Sequence, residues 1–553
     1  MRYGRVGQIR QQEDRTNDSD AYQQASRSQV STRTTFPLSS SMTRTLSTAA
    51  CLLALAGCGG TDSRIPALDG PLVIDIRYPL PRTTVPSVDS IAAWGTLGTG
   101  RATLEVNGTP VHIERNGAFA TFLAVPEGAR PEMRFVARLA GDTASRIIAL
   151  ERPGRASAAP ANAREGLEGA VRPWGRWVTM RRLPSDTADS ATQWRPIYAR
   201  SRPGGEVVLG IPQGIRLFAD ARTDRALRLQ LAPHEHVWIP AVDAETSAIG
   251  RVATVQVGRL RVSNSSDELL LSVSMPERLP STVELTGDRL HWTIFGAEWT
   301  QLPPAIAGDG TTVRRIVPRD SAPGRVVVDL GLVGMPLGWR TEWEDGALRL
   351  RLRRRTPPSR SLEGMRITLD PGHPPDGTVG PSGLVEDSVT LAVARVAAEQ
   401  LRALGASVAL TRASAAPLSL EARAVIAEQA PAQLFVSLHL NAPGPGRPPA
   451  AVYGTQTYWM NPNGRALAHA LLVEVAAAMG HPAIGSYQGE FAVLRPAWAT
   501  AALVEGSGIV IPEREAFLRT PDGVAAYARG VVNGIVRWQR QSASRALPVA
   551  RAR

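Results

Sequence analysis

Three residues in the C-terminal third of the chain have the types and spacing of a metal centre. The stretch "RITLDPGHPPDGTVGPSGLVEDSVTLA" (366–392) ends an apolar run in Asp370, holds His373 in a Pro/Gly turn, and reaches Glu386 just ahead of a helical pattern. Farther on, "LFVSLHLNA" puts His439 at the end of a second apolar run. Hydrolytic zinc sites use three protein ligands, often two His and one carboxylate, and keep a position for water. His373, Glu386 and His439 supply that set. An ion held by them would make water nucleophilic near neutral pH and polarise a substrate carbonyl. A nearby carboxylate must then take the proton and pass it to the leaving group. Glu505, closing the apolar run "TAALVE", is the candidate, because an acid there is costly unless it has a partner or a task. Asp370 is placed to orient His373 from behind. Taken singly, each residue has an ordinary explanation: a satisfied polar group, an acid favoured by a helix dipole, an ion pair. The assignment rests on their conjunction.

The elements around these residues predict how they meet. In 364–541, the strand-like runs "MRITLD", "SVALT", "LFVSLHL", "TQTYWM", "FAVL" and "TAALVE" alternate with helical stretches. In "VTLAVARVAAEQLRALG", Leu391, Ala394, Ala398 and Leu401 recur at helical spacing, and Gly405 supplies the stop. Alternation of this kind implies an α/β layer fold, whose sites collect at the carboxyl ends of strands.

Upstream, the chain reads as all-β modules. Residues 70–153 alternate apolar and polar positions, with Asn107-Gly108 and Asn116-Gly117 as hairpin-type turns; this is similar to an Ig-like β-sandwich. An Ala/Pro/Gly linker spans 154–171. Residues 172–245, with short strands and tight turns, resemble an SH3-like β module; His234 and His236, two apart, would share a strand face there as a surface pair. Residues 251–353 read as a second sandwich, similar in pattern and position to the AMIN type, a peptidoglycan-binding family. The fold class is therefore multidomain: an α/β C-terminal domain with a sheet and flanking helices, after Ig-like, SH3-like and AMIN-like β modules.

The N-terminus carries an address. Residues 42–57 have one Arg and a short apolar stretch, ending in Leu55-Ala56-Gly57 before Cys58. The stretch is too short to span a bilayer and reads as a signal peptide. It resembles a bacterial lipobox, which implies cleavage before Cys58 and lipid on that residue; Gly59 favours the outer membrane, with the chain on its periplasmic face. Residues 1–41 are expected to be untranslated or disordered. The only cysteines are Cys51 and Cys58, so the exported chain has no disulfide and depends on its cores. All 62 basic residues are Arg and the net charge is +12, yet the arginines scatter without a basic run. No nucleic-acid partner is expected; the charge suits loose attraction to an anionic polymer such as a cell wall.

Residues 366–541 resemble the zinc-dependent N-acetylmuramoyl-L-alanine amidases of the Amidase-3 type. The motifs "LDPGH", "GLVEDSVTLA", "LTR" (410–412), "SLHLNA" (437–442), "FAVLRP" (491–496) and "LVEGSG" (503–508) stand in the family's order. The resemblance implies one zinc on His373, Glu386 and His439, Glu505 as acid/base, and Asp370, Asn441 and Arg495 behind the ligands or against substrate. It implies cleavage of the amide between muramic acid and L-alanine in peptidoglycan. The chain departs from the family at Pro374-Pro375, where glycines are usual, at Asp387, and at "IVIPEREAF" after Glu505. About thirty residues separate "TYWM" from "FAVLRP", with room for one helix and none for the long blocking insertion of some members, so the domain is expected to act without an activator. His469 and His481 lie in or beside that helix as surface or packing residues. Two alternatives stay open: a binding protein that holds wall without cutting, and a zinc peptidase acting within the stem peptide. The identity of any protein activator is open as well.

Overall fold

The computed structural model describes residues 65–546, apart from 86–88, 153–169, 182–195, 248–253, 356–360, 376 and 430. The signal peptide, Cys58, most of the 154–171 linker and the expected leader 1–41 lie outside the described residues.

Three all-β units precede the α/β unit. In the first, a three-stranded sheet (Asp75–Tyr78, Ser90–Thr96, Ala118–Ala124) and a four-stranded sheet (Thr103–Val106, Thr109–Val111, Glu132–Leu139, Asp142–Ala149) enclose a core with Phe119, Met133 and Phe135. Asn107 and Gly108 both take positive φ (50° and 79°) in the predicted turn, which is why that pair turns the chain so tightly. The second unit is one seven-stranded antiparallel sheet between Arg172 and Thr246, wrapped on a single apolar cluster. His234 and His236 do not share a strand in it. His234 sits in a turn with φ 70°, while His236 lies on the strand Glu235–Pro240 and faces Asp220 at 3.1 Å. The third unit packs four- and five-stranded sheets around Trp292, Leu271 and Val328.

The C-terminal unit holds strands β1 (Arg366–Pro371), β2 (Ser407–Leu410), β3 (Leu434–Asn441), β4 (Thr455–Trp459), β5 (Ala483–Gln488) and β6 (Thr500–Gly508) in the order β2-β1-β3-β6-β4-β5. The first four of that order are parallel; β4 runs antiparallel to β6, and β5 parallels β4. Helices α1 (Glu386–Ala403), α3 (Arg465–Met479) and α5 (Pro521–Ala546) cover one face, sharing a core with Leu369, Leu438 and Val504. The other face is covered by α2 (Leu420–Gln429) and the 491–499 segment, through Ala427, Phe435, Val493 and Leu503. Alternation along the strands sorts side chains between these layers. It sends Asp370, Ser437, His439 and Glu505 to the face opposite the three-helix layer. A short helix, α4 (Pro512–Leu518), follows β6. Two details differ from the sequence expectation. "FAVL" contains a turn of 3₁₀-helix at Ala492–Leu494 rather than a strand, and the edge strand β5 was not foreseen.

The units are joined by specific contacts. The Leu337 carbonyl of the third unit accepts from Asn463 Nδ2 (2.8 Å) and Thr500 Oγ1 (2.9 Å). The Arg340 and Arg353 guanidinium groups lie against the Trp498 ring, 4.2 and 4.0 Å from its centroid.

Candidate metal centre

β1 ends at Pro371, and the chain turns sharply through Gly372 to His373, which has φ 56°. Gly372 lies so close to the His439 ring that any Cβ there would collide with it; this position requires glycine. Two buried arginines hold the turn by its carbonyls. Arg412 Nε donates to Pro371 O and its Nη2 to Gly372 O and Asp387 O, at 2.8–2.9 Å. Arg423 Nη1 donates to Pro371 O (2.8 Å), and its Nη2 to His373 O (2.9 Å) and Pro374 O (3.1 Å). Neither arginine carried a role in the sequence, since the groups by which they hold the turn are backbone oxygens far along the chain. "LTR" marks Arg412 only as a motif; Arg423 has no signal in an Ala-rich helix.

Asp370 does not orient the His373 ring, contrary to expectation. Its carboxylate is fully buried and accepts from Arg423 Nη1 (2.7 Å), Thr411 Oγ1 (2.5 Å) and Ser437 Oγ (2.7 Å). It therefore fixes Arg423, which fixes the turn. The ring is oriented by a backbone oxygen instead: His373 Nδ1 lies 2.9 Å from Pro375 O. An Nδ1–H donated there leaves Nε2 free to bind a metal.

Glu386 opens α1 and is 2 % exposed. Its Oε2 accepts from Thr378 N (2.9 Å) and its Oε1 from Leu440 N (2.9 Å). His439 Nδ1 lies 3.2 Å and His373 Nε2 3.4 Å from Oε1. The ligand atoms of His373, Glu386 and His439 all fall within 4.8 Å of one another. The imidazole planes are nearly perpendicular, at 83°. Two imidazoles and a carboxylate converging from different directions, with the carboxylate fixed by two amides, fit the donor set of a zinc site. Tyr527 on α5 donates its hydroxyl to the His439 and Val504 carbonyls, both at 3.0 Å, and so ties β3 to β6 at this level.

Glu505 lies within β6, 1 % exposed, paired in register with His439 on β3. The two side chains thus share a face of the sheet. Asn441 is buried at the end of β3, and its carbonyl accepts from Ile509 N at 3.2 Å. Arg495 is engaged elsewhere: it pairs with Glu490 (3.1 Å) and covers the Tyr198 ring of the second β unit at 4.4 Å. His481 lies 2.8 Å from Thr455 Oγ1, and burial with Arg514 nearby lowers its pKa to about 4. Glu515 on α4 is a further residue unseen in the sequence. It accepts from the amides of Ser382 and Leu384 at 2.8–3.0 Å, pinning the loop that leads to Glu386.

The electrostatics follow from this packing. Burial alone would lower the His373 pKa, but the Glu386 charge and hydrogen bond outweigh it and push it up to about 9. Burial would raise Glu386, yet the two histidines hold its carboxyl well below the usual range. Burial lowers the pKa of His439. A metal must therefore displace one proton, that of His373. Zinc affinity should rise about tenfold from pH 7 to pH 8 and level off above about 9. Competition with a chromophoric chelator at each pH measures this; a flat profile would mean that binding displaces no proton from His373 in this range.

Residues 367–537 match the family model described as N-acetylmuramoyl-L-alanine amidase. The chain is 30% identical over 229 residues to the N-acetylmuramoyl-L-alanine amidase AmiC of Neisseria meningitidis, covering 40% of this chain and 52% of that protein. It is 32% identical over 144 residues to the N-acetylmuramoyl-L-alanine amidase LytC of Bacillus subtilis, covering 26% of this chain and 29% of that one. Among solved structures it is similar to the catalytic domain of CwlV, an N-acetylmuramoyl-L-alanine amidase from Paenibacillus polymyxa, with 30% identity, a TM-score of 0.30, and coverage of 32% of this chain and 97% of that one. The chain spans about half of the first of these curated relatives and under a third of the second, and the family match lies wholly in the α/β unit.

Proposed function

We propose that the chain is a zinc-dependent N-acetylmuramoyl-L-alanine amidase that frees stem peptides from peptidoglycan. The observation that carries this is the convergence of His373, Glu386 and His439 beside a buried Glu505, inside the segment that matches the amidase family. Zinc held by the three ligands would supply a Lewis acid that acidifies water and polarises the scissile carbonyl. The chain's own residues do the rest. Pro375 O sets the His373 tautomer, and Thr378 N and Leu440 N hold the Glu386 carboxylate in place. Glu505 takes the proton from the attacking water and delivers it to the leaving amide nitrogen, so that the lactyl carboxylate and a free L-alanine amine result. Mass spectrometry of fragments released from purified wall is the test. Free N-terminal L-alanine supports the amidase; cuts within the stem peptide, or none, refute it.

The upstream units serve as Ig-like, SH3-like and AMIN-like modules that keep the enzyme on the wall, and lipid on Cys58 tethers the chain to the periplasmic face of the outer membrane. The Leu-Ala-Gly-Cys stretch supports the tether. The native N-terminus should be a lipidated Cys58; an unmodified Cys58 or another mature start, read by mass spectrometry, rules it out.

A further inference from the structure

Glu386 is delivered by a loop that is held from a distant part of the chain. Segment 377–385 folds back on itself: Val379 and Val385 form an antiparallel bridge, and Gly380 N donates to Leu384 O (2.9 Å). Glu386 N donates to Thr378 O (3.0 Å), while Thr378 N donates to Glu386 Oε2 (2.9 Å). The Thr378 amide and the carboxylate it fixes are therefore one mechanical unit. Glu515 secures one part of this loop, at Ser382 and Leu384. Another part is secured by the first β unit: Trp94 Nε1 donates to Val379 O at 3.0 Å, across 285 positions of sequence.

Trp94 is built into both units. It lies on the strand Ser90–Thr96, is 6 % exposed, and stacks on Tyr78 with ring centroids 4.6 Å apart. It belongs to the same apolar cluster as Val389 and Val393 of α1, the helix that Glu386 opens. The indole offers one N–H and no acceptor, and that N–H is spent on the residue next to Thr378.

We propose that Trp94 is a positioning residue for the metal centre, and that the first β unit is a built-in clamp holding the Glu386 carboxylate in its ligating position. The clamp rests on the metal assignment above. It also revises the expectation of a self-sufficient catalytic domain, because 364–541 alone would lack Trp94.

The test uses the full chain and compares Trp94→Phe with Phe135→Leu. Phe135 is fully buried in the first unit's own core and serves as a control for general loosening. In metal-free protein, hydrogen exchange of the Thr378 amide should quicken about tenfold in Trp94→Phe and stay near wild type in the control. Loss of a partner behind a ligand commonly weakens metal affinity by about 10–100-fold. The zinc dissociation constant of Trp94→Phe should rise by about tenfold, with a changed cobalt absorption spectrum, while the control keeps both. Unchanged exchange and affinity in Trp94→Phe would overturn the clamp, as would an equal loss of affinity in Phe135→Leu. Faster Thr378 exchange in Trp94→Phe with no zinc uptake by the wild type would leave the hold on Glu386 standing and defeat the metal assignment instead.

Discussion

Glu505→Gln should leave zinc bound and lower turnover by at least about 100-fold, the contribution of a positioned acid/base. Gln keeps the size and planar shape of the side chain but has no carboxylate to take a proton from water and pass it to the leaving nitrogen. The fold should persist, because Glu505 is buried in a strand whose residues are all buried, and the change removes a charge from that interior rather than adding one. The zinc ligands lie on other elements: His373 after β1, Glu386 at the start of α1 and His439 on β3. The measurement is stem-peptide release from wall at matched zinc content. Near-normal release would make Glu505 structural. Loss of zinc together with activity would make Glu505 a ligand and reopen the assignment of Glu386.

The second large effect is at His439. His439→Ala should abolish both zinc binding and wall cleavage, since two remaining donors cannot form the three-ligand set that a hydrolytic site needs. The surrounding backbone has its own supports, which the substitution leaves intact. Tyr527 donates to the residue-439 carbonyl, Leu440 N donates to Glu386, and β3 stays paired with β1 and β6. Metal analysis of the purified variant, alongside a melting curve, separates loss of the site from loss of the fold. A variant that keeps one zinc per chain and cleaves wall would show that His439 is not a ligand.

Much of this centre was legible because its residues break a pattern. His373, His439 and Glu505 each stand at or near the end of an apolar run, where a polar side chain needs a reason. Glu386 stands where a helical period begins. Five of the predicted strands formed in the C-terminal unit for the same reason: "MRITLD", "SVALT", "LFVSLHL", "TQTYWM" and "TAALVE" combine apolar content with strand length. "FAVL" failed because apolar content reports burial and not backbone geometry: Val493 and Leu494 are buried from within a 3₁₀ turn. Strand β5, "AIGSYQ", was missed because it is an edge strand with no fully buried residue; it has no apolar run to announce it.

Sequence alone marked the polar residues that close the apolar runs and the stretch where strands and helices begin to alternate. It left undetermined which partner holds which group. Asp370 reaches Arg423 instead of His373, Arg495 covers Tyr198 of another unit, and Glu515 and Trp94 hold the loop before Glu386. In each of these contacts except the one to Tyr198, at least one route to the ligands runs through a backbone amide or carbonyl. Every residue type offers a carbonyl, and every one but proline an amide N–H, so no spacing of side chains encodes the match; chain folding brings a particular carbonyl within reach of a particular donor, as Val379 O is brought to the Trp94 indole.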